Sequence, residues 1–516
     1  MNFYFEAADA LDRLDAKQGS IKSIINTLPA KDRKRSAALV IETLKYKAVL
    51  LDVISAAKIL EERKITSKNL ALVLVHDLLL SRGIQAGDGP VKQAILKHKT
   101  RLRSEFQRAK IKRGVRSDEE LAQTDDVRAG ESWGLRKVST ATKPTLSARI
   151  PRYVRVNTLK STHEEVVNVL QSRGYQVGDP LQAKHYALDE HIPELLSLPP
   201  NIQFHDDPLY FSGKIILQDK ASCFPAAVLA PPATDTAVVI DATAAPGNKT
   251  SHLSALMRNK GKLFAFERDR KRFTTLQSML SKAGCKNTEA LNVDFTNIEP
   301  TNSNYSQVTH ILLDPSCSGS GIVNRLDYLL DTEEETDSVH QDRLSKLSAF
   351  QLTMIKHAMK FPSVQKIVYS TCSVHAAENE HVVHQALNSE EAALGHFVLA
   401  PRSQVLPSWH RRGLPSDMKS DNPDDADSLI RCSPGEDATN GFFVSCFVKS
   451  IPDQAQGSLH PEHESSPPSR TIELVKRKRT ESNGLTGDSG QSSGTKKKKK
   501  RKTRKSSLGQ PPAAGS

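Results

Sequence analysis

The sequence predicts an α/β protein with a central parallel sheet, preceded by a small α+β module and an N-terminal helical region. Beyond residue 235, short strands alternate with helical segments such as 272–283, and each strand is apolar along its whole length. Parallel strands are covered on both faces, which requires such continuous apolar runs. The predicted strands of this sheet are 237–241, 263–267, 308–313 and 366–370, with a closing strand at 442–448.

Residues 1–116 are predicted to be helical. Apolar residues recur at spacings of three and four over 39–51 and over 69–80, which predicts one helix in each segment. Gly83 follows the second segment and supplies a helix stop. Residues 117–149 are polar, first acidic and then rich in Ser and Thr, which favours a linker.

The segment 97–116 is strongly basic, with nine Lys and Arg against one acid, Glu105. Leu102, Phe106 and Ala109 recur at helical spacing, so we expect an amphipathic basic helix. Its charged face is either a solvated surface of the helical domain or a contact for RNA phosphates, and charge alone leaves both open.

A small α+β module is predicted over 150–215. Residues 153–157 alternate as a strand, and 162–174 begins at a Ser/Thr cap and ends at Gly, as a helix does. We expect two further short strands at 202–205 and 210–216.

The net charge of +13 in 516 residues is concentrated at the C-terminus. Fourteen Lys and Arg and six Asp and Glu follow Ile451, so the tail 452–516 carries +8 of that charge. The tail is rich in Ser, Pro, Gly and Lys, a composition typical of disorder. A basic excess favours a polyanionic partner such as nucleic acid.

Composition excludes several classes of protein. The longest apolar run, 70–75, is too short to span a bilayer, and residues 1–6 lack the features of a secretory signal. Six Cys without a C-x-x-C pair argue against a disulfide-stapled fold and a Cys-rich zinc module. We therefore expect reduced thiols, no membrane partner and no structural metal.

A loop of small residues, 242–247, lies between the first predicted parallel strand and a helix. In doubly wound sheets, ligands bind at the carboxyl ends of the strands, and small residues let backbone approach them closely. A P-loop would need Gly where Thr243 and Asn248 stand, and a dinucleotide fingerprint would need more than one Gly. A structural turn without a ligand remains the alternative.

Glu267 closes the second strand, 26 residues after Asp241. An acid at this point accepts hydrogen bonds from the two hydroxyls of a ribose, whereas the alternative is an ordinary surface Glu. The loop and the acid together favour a nucleoside-bearing ligand that needs no phosphate cradle.

Two cysteines stand at the ends of the third and fourth strands, Cys317 in Asp-Pro-Ser-Cys-Ser-Gly and Cys372 in Ser-Thr-Cys-Ser. Strand ends on the ligand side of a parallel sheet bring reactive side chains together, although a single buried Cys is usually inert. His375 lies near Cys372, but no second ligand pair supports zinc. Spacing alone leaves open which thiol is the nucleophile.

These motifs closely resemble the Nop2/Sun (RsmB-type) family of S-adenosylmethionine-dependent RNA cytosine-C5 methyltransferases. The resemblance runs from about residue 150 to 450. It rests on the segments 243–250, 314–321 and 370–373, and on the further motifs 152–160 and 217–222.

The form Pro-Ser-Cys-Ser-Gly-Ser-Gly, together with residues 18–22, resembles the fifth-member subfamily, which implies 28S/25S large-subunit rRNA as substrate and a nucleolar location. Thr243 stands where the family often has Cys, and we expect little effect because the loop acts through its backbone. Ser316 replaces a Pro of the wider family and points to the subfamily.

The resemblance implies a class I (Rossmann-like) methyltransferase sheet over 216–451 and a covalent mechanism. Cys372 would be the nucleophile at C6 of cytosine, and Cys317 would assist release of the enzyme. Asp314 would hold the cytosine edge, with Lys249 supporting it electrostatically. The target base must be unstacked to enter the site.

The resemblance also assigns the S-adenosyl-L-methionine site. Its residues would be the loop Thr243, Ala244, Ala245, Pro246, Gly247, Asn248 and Lys249, together with Glu267, Arg272, Asp294 and Asp314.

The predicted function is formation of 5-methylcytosine in RNA by a nuclear, monomeric enzyme. Two alternatives are a non-catalytic RNA-binding factor in ribosome assembly and the same chemistry on tRNA or another RNA. The basic runs 476–479 and 496–505 predict a nuclear and nucleolar address with non-specific RNA affinity.

Overall fold

The computed structural model describes residues 2–122, 150–204, 206–323, 337–420, 422 and 424–450, with backbone alone for 119 and 337–340. Most of the predicted linker and the whole basic tail therefore lie outside the described residues.

The N-terminal region is helical, as its periodicity predicts. The helical pattern over 39–51 is confirmed, but it belongs to two helices, because the backbone of Tyr46 leaves helical geometry and separates them. The second predicted helix is confirmed and begins after its N-cap, Ser67. The α-helices of this region are Asn2–Asp15, Ile21–Thr27, Arg33–Lys45, Lys47–Ala57, Lys68–Leu80, Pro90–Lys97 and Lys99–Arg113, with 3-10 turns at Ile59–Glu61 and Glu119–Leu121.

The predicted basic helix is confirmed as amphipathic, with shorter bounds. It spans Lys99–Arg113, because His98 separates it from the preceding helix and Gly114 ends it with a left-handed backbone. Leu102, Phe106 and Ala109 are buried against the helical core. Most of its charged residues are exposed. The contact of this face with RNA stays a prediction.

The α+β module forms a five-stranded sheet in the order β2-β3-β4-β1-β5, mostly antiparallel. The predicted first strand and helix are confirmed, the helix as His163–Ser172. The strands are β1 (Arg152–Val156), β2 (Gln176–Val177), β3 (His185–Leu188), β4 (Leu195–Leu198) and β5 (Ile215–Leu217).

One predicted strand of this module is wrong, and the other is confirmed only at its C-terminal end, where Ile215–Leu217 forms β5. Residues 202–204 form no strand. The segment 210–216 begins inside a helix, Pro208–Phe211, because the Asp207 side chain accepts the backbone N–H of Leu209 and Pro208 favours a first helical turn.

The large sheet has eight strands in the order β11-β13-β10-β9-β6-β7-β8, with β12 paired to β13. Strands β8, β7, β6, β9 and β10 are parallel, which confirms the predicted parallel sheet, and the closing strand β13 is antiparallel to β10. The strands are β6 (Val238–Asp241), β7 (Lys262–Phe266), β8 (Thr288–Leu291), β9 (His310–Leu313), β10 (Lys366–Thr371), β11 (Phe397–Leu399), β12 (Ile430–Cys432) and β13 (Phe442–Lys449).

Both faces of this sheet are buried. Ile240 and Ile311 pack in one hydrophobic core, whereas their neighbours Val239 and Leu312 pack in another on the opposite face. The helices of this part are Lys220–Leu229, Asn248–Leu256, Arg270–Ala283, Asp337–Met359, Glu380–Leu387, Glu390–Gly395, Pro415–Met418 and Asp424–Asp427, with 3-10 turns at Phe295–Asn297, Ala376–Glu378 and Arg402–Gln404. None of the helices in the described ranges has the length and apolarity needed to cross a membrane.

Arg155 joins the small module to the large domain. Its side chain is completely buried on β1, where its Nε donates to Gln218 Oε1 at 2.8 Å. Its Nη2 donates to Ser251 Oγ at 2.9 Å and to the Asn248 carbonyl at 3.3 Å. The guanidinium therefore fixes the first turn of the helix that follows the loop 242–247.

We predict that Arg155→Lys lowers the free energy of unfolding by about 1–3 kcal/mol, because an ammonium cannot reach three separated acceptors and leaves buried groups unpaired. Arg152→Lys, at an exposed position of the same strand, is the matched control. Chemical denaturation of both variants measures the difference, and equal stabilities would contradict the proposed role of Arg155.

Candidate active site

Four polar side chains stand where neighbouring parallel strands end. Asp241 is the last residue of β6, whereas Glu267, Asp314 and Cys372 directly follow β7, β9 and β10. The carboxyl ends of parallel strands share one edge of the sheet, so all four residues lie along that edge.

The loop 242–247 is held to the sheet by buried hydrogen bonds. Thr250 donates its hydroxyl to Asp241 Oδ2 at 2.7 Å, and the Ala244 N–H donates to the Phe266 carbonyl at 2.8 Å. Burial raises the pKa of Asp241 to about 6, although the bond from Thr250 acts in the opposite direction. Gly247 has a φ of +111°, and a Cβ there would lie 3.0 Å from Met279 Cγ, so the position requires glycine.

Lys249 and Asp314 form the charged centre of the site. Lys249 Nζ lies 2.6 Å from Asp314 Oδ2, and Ser370 donates its hydroxyl to Asp314 Oδ1 at 2.9 Å. Burial alone would lower the pKa of Lys249, but the charge and hydrogen bond of Asp314 outweigh it and raise that pKa above its usual value. The ammonium is therefore charged and fixes the carboxylate.

Thr243 contributes more than backbone, in contrast to the expectation from sequence. Its hydroxyl accepts the backbone N–H of Asp314 at 3.0 Å. This side chain therefore ties the loop 242–247 to the backbone of Asp314.

The two cysteines meet, as their positions at strand ends predict. Cys317 Sγ lies 3.0 Å from Cys372 Sγ, and both residues are thiols. Contact with the Cys372 sulfur, followed by burial, raises the pKa of Cys317 well above its usual value. The backbone N–H of Gly321 donates to the Cys372 carbonyl at 2.9 Å and so joins the two cysteine loops.

Glu267 and Arg272 lie together beside the loop 242–247. Glu267 is buried, and its carboxylate accepts the backbone N–H of Asp269 at 2.8 Å and lies 3.4 Å from Arg272 Nη1. Arg272 Nη2 donates to the Ala245 carbonyl at 2.8 Å. Glu267, Arg272 and the loop 242–247 therefore lie together beside the end of β7.

Asp294 follows β8 at the same edge of the sheet. Its Oδ1 accepts the backbone N–H and the hydroxyl of Thr296, and its Oδ2 lies 3.4 Å from Arg268 Nη1. Asp294 lies one strand further along the sheet than Glu267. Two residues before Asp294, the Asn292 side-chain amide donates to the Glu267 carbonyl at 2.7 Å.

The residues present fit a nucleoside-bearing methyl donor. A carboxylate offers about four lone-pair directions, so Glu267 retains acceptors for two ribose hydroxyls beside its own two contacts. The requirement for glycine at 247 and the small side chains of Ala244 and Ala245 let backbone approach a ligand closely. Within the described ranges, no group of three His, Cys, Asp or Glu is arranged to hold a metal ion.

Sequence reasoning missed three residues that shape the site. Ser370 binds Asp314, Asp241 anchors the loop, and the buried Glu378 binds the segment next to Cys317. Ser370 and Asp241 could have been found, because each lies at the end of a predicted strand. Glu378 carries no such local signal.

Comparison with known proteins decides the family. The family model of the 16S rRNA methyltransferases RsmB/F matches residues 226–448. The N-terminal and ferredoxin-like domains of NOL1/NOP2/Sun domain family member 5 match residues 34–122 and 150–218. The chain is 43% identical to the 25S rRNA (cytosine-C(5))-methyltransferase rcm1 of Schizosaccharomyces pombe, over 86% of this chain and 91% of the relative.

The chain belongs to the Nop2/Sun (RsmB/F-type) methyltransferase family. It is also 39% identical to the 28S rRNA (cytosine-C(5))-methyltransferase of Mus musculus, over 93% of this chain and 97% of the relative. The crystal structure of PH0851 has a similar fold, with a TM-score of 0.52, 22% identity and coverage of 83% of this chain and 92% of that chain.

Membership confirms the fold class, the enzyme class and the methyl donor that the motifs predict. The chain has the class I methyltransferase sheet and is a member of a family of S-adenosylmethionine-dependent RNA cytosine-C5 methyltransferases.

Proposed function

We propose that this enzyme forms 5-methylcytosine in large-subunit rRNA and that Cys372 is its covalent nucleophile. The observation that carries the chemistry is the contact of two thiols, 3.0 Å apart, beside an ion-paired carboxylate at the carboxyl edge of the sheet. The substrate is supported by the relatives named above, which are 25S and 28S rRNA methyltransferases and align along most of the chain.

A thiol is needed because C5 of cytosine is a poor nucleophile. The Cys372 thiolate adds to C6, which makes C5 enamine-like and able to form a bond to carbon. S-adenosylmethionine supplies an electrophilic methyl group when it is bound. A base then takes the C5 proton, and the electron pair of the C5–H bond restores the double bond as the Cys372–C6 bond breaks and its electrons return to the Cys372 sulfur.

The environment of the thiols supports different roles for the two cysteines. Two thiolates 3.0 Å apart would repel each other, so only one of the pair ionises readily. Contact with the Cys372 sulfur, followed by burial, raises the pKa of Cys317. The family likeness assigns the attack to Cys372 and assistance of release to Cys317, whose thiol can give its proton to the Cys372 sulfur as the bond to C6 breaks.

Asp314 and Lys249 orient the base. The Asp314 carboxylate faces the cytosine edge and favours a proton at N3, which makes C6 more electrophilic. Lys249 and Ser370 each hold one oxygen of that carboxylate, so its orientation is fixed before the base arrives. Glu267, Arg272, Asp294 and the loop 242–247 hold the methyl donor.

The two cysteines give opposite expectations on substitution. Cys372→Ala removes the attacking group, so methylation and the protein–RNA adduct both disappear. Cys317→Ala blocks release, so a thioether adduct persists on denaturing gels. Glu267→Ala is the control, because it weakens donor binding by about 1–3 kcal/mol without favouring adduct in either direction. Adduct with Cys372→Ala and none with Cys317→Ala would reverse the assignment.

The substrate is tested in cells that lack the protein. Bisulfite sequencing of total RNA is expected to show loss of 5-methylcytosine at a cytosine of large-subunit rRNA. Wild-type protein restores the mark, and Cys372→Ala does not. Unchanged rRNA together with a lost mark in tRNA would assign the enzyme to another RNA, and no lost mark in any RNA would favour a non-catalytic assembly factor.

We further propose that the tail 452–516 directs the enzyme to the nucleus and nucleolus, on the basis of its basic runs. A chain ending at Ile451 is expected to methylate RNA at low salt but to lose nuclear concentration, because counterion release makes the tail's contribution salt dependent. A chain ending at Arg479 keeps one basic run and is the matched comparison. Normal nuclear localisation of the chain ending at Ile451 would mean that the localisation signal lies outside the tail.

A further inference from the structure

Glu378 is a buried carboxylate six residues after Cys372, at the end of the turn Ala376–Glu378. Its Oε1 accepts the backbone N–H of Ser318 at 2.9 Å and the Gln351 side-chain amide at 3.0 Å. Its Oε2 accepts the Ser318 hydroxyl at 2.6 Å. Because Ser318 directly follows Cys317, this carboxylate holds the backbone that carries Cys317.

The charge of Glu378 is expensive to bury. Its side chain is fully buried, and it forms no ion pair with a Lys or Arg in the described part of the chain. Glu380, two residues later and equally buried, is paired with Arg431. Burying a carboxylate without an ion pair costs free energy unless hydrogen bonds replace its water, and here the segment after Cys317 supplies two of them.

The loop of Cys372 is held by a different side chain. Asn379 Oδ1 accepts the hydroxyl of Thr371 at 2.6 Å, and its amide donates to the Ser373 carbonyl at 3.0 Å. These bonds flank Cys372 on both sides. Two consecutive residues therefore hold the two cysteine loops through different side chains, Glu378 for Cys317 and Asn379 for Cys372.

We propose that Glu378 is the positioning residue for Cys317, needed for release of the methylated product and not for attack on the base. This inference rests on the roles proposed above for the two cysteines. Loss of the Glu378 carboxylate lets residues 316–319 move, which carries the Cys317 thiol away from Cys372. The nucleophile keeps its own supports, so the Cys372–C6 bond still forms but is resolved slowly.

Three variants of the full chain test the proposal. Glu378→Gln keeps the size of the side chain but removes its charge and one acceptor for the 316–319 segment. Ser318→Ala removes the hydroxyl contacts with Glu378, Ser320 and Ser373 at a partly exposed position, but it leaves the backbone contact with Glu378, so its effect is smaller. Glu380→Gln changes a buried carboxylate of the same segment that binds Arg431 instead, and it is the matched control.

The measurements are methyl transfer in a single turnover, multiple-turnover methylation, and the fraction of RNA held as adduct on a denaturing gel. For Glu378→Gln we expect the adduct to accumulate, multiple turnover to fall about tenfold and single-turnover transfer to change less than about threefold. Ser318→Ala shifts these quantities in the same direction by less. Glu380→Gln leaves the adduct fraction at the wild-type level.

Each contrary outcome identifies what has failed. Adduct with Cys317→Ala but with neither Glu378→Gln nor Ser318→Ala overturns this inference alone. A lower melting temperature of Glu378→Gln with equal losses of transfer and adduct also overturns it, because that pattern reports structure only. Absence of adduct with Cys317→Ala overturns the division of roles and this inference with it.

Discussion

The parallel pairing of β9 with β10 is the constraint on which the active site depends. Leu313 pairs with Tyr369 at the last rung of this ladder, so the residues that follow, Asp314 and Ser370, lie side by side and share a hydrogen bond of 2.9 Å. The loops beyond them carry Cys317 and Cys372 into contact. A slip of one residue would turn alternate side chains to the other face and separate these groups.

Polar groups buried around this ladder make the site rigid before substrate binds. Lys249 holds the Asp314 carboxylate, and Thr243 holds the Asp314 backbone. These bonds tie the loop 242–247 to the segment that carries Cys317. Arg155, from the small module, fixes the first turn of the helix that follows this loop. Buried hydrogen bonds of this kind favour one geometry, because a geometry that breaks them leaves buried groups unpaired and costs free energy.

The sequence could predict the parallel sheet and the meeting of the cysteines, because apolar strands and the residues at their ends are local signals. It began the strand of 210–216 too early, because aromatic and β-branched residues there favour a strand, whereas Asp207 starts a helix and β5 begins only at Ile215. The bonds of Glu378 to Ser318 and of Arg155 to Ser251 join residues 60 and 96 positions apart. No periodicity marks such contacts, since they exist only after the chain has folded.

The most direct test of the covalent account is mass spectrometry of a trapped complex. RNA containing 5-fluorocytosine blocks loss of the C5 substituent, so an enzyme that attacks C6 stays bound to the base. After digestion with ribonuclease and protease, we expect the modified nucleotide on the peptide that contains Cys372. A nucleotide on the peptide of Cys317, or no modified peptide from an enzyme active on unmodified RNA, would contradict the account.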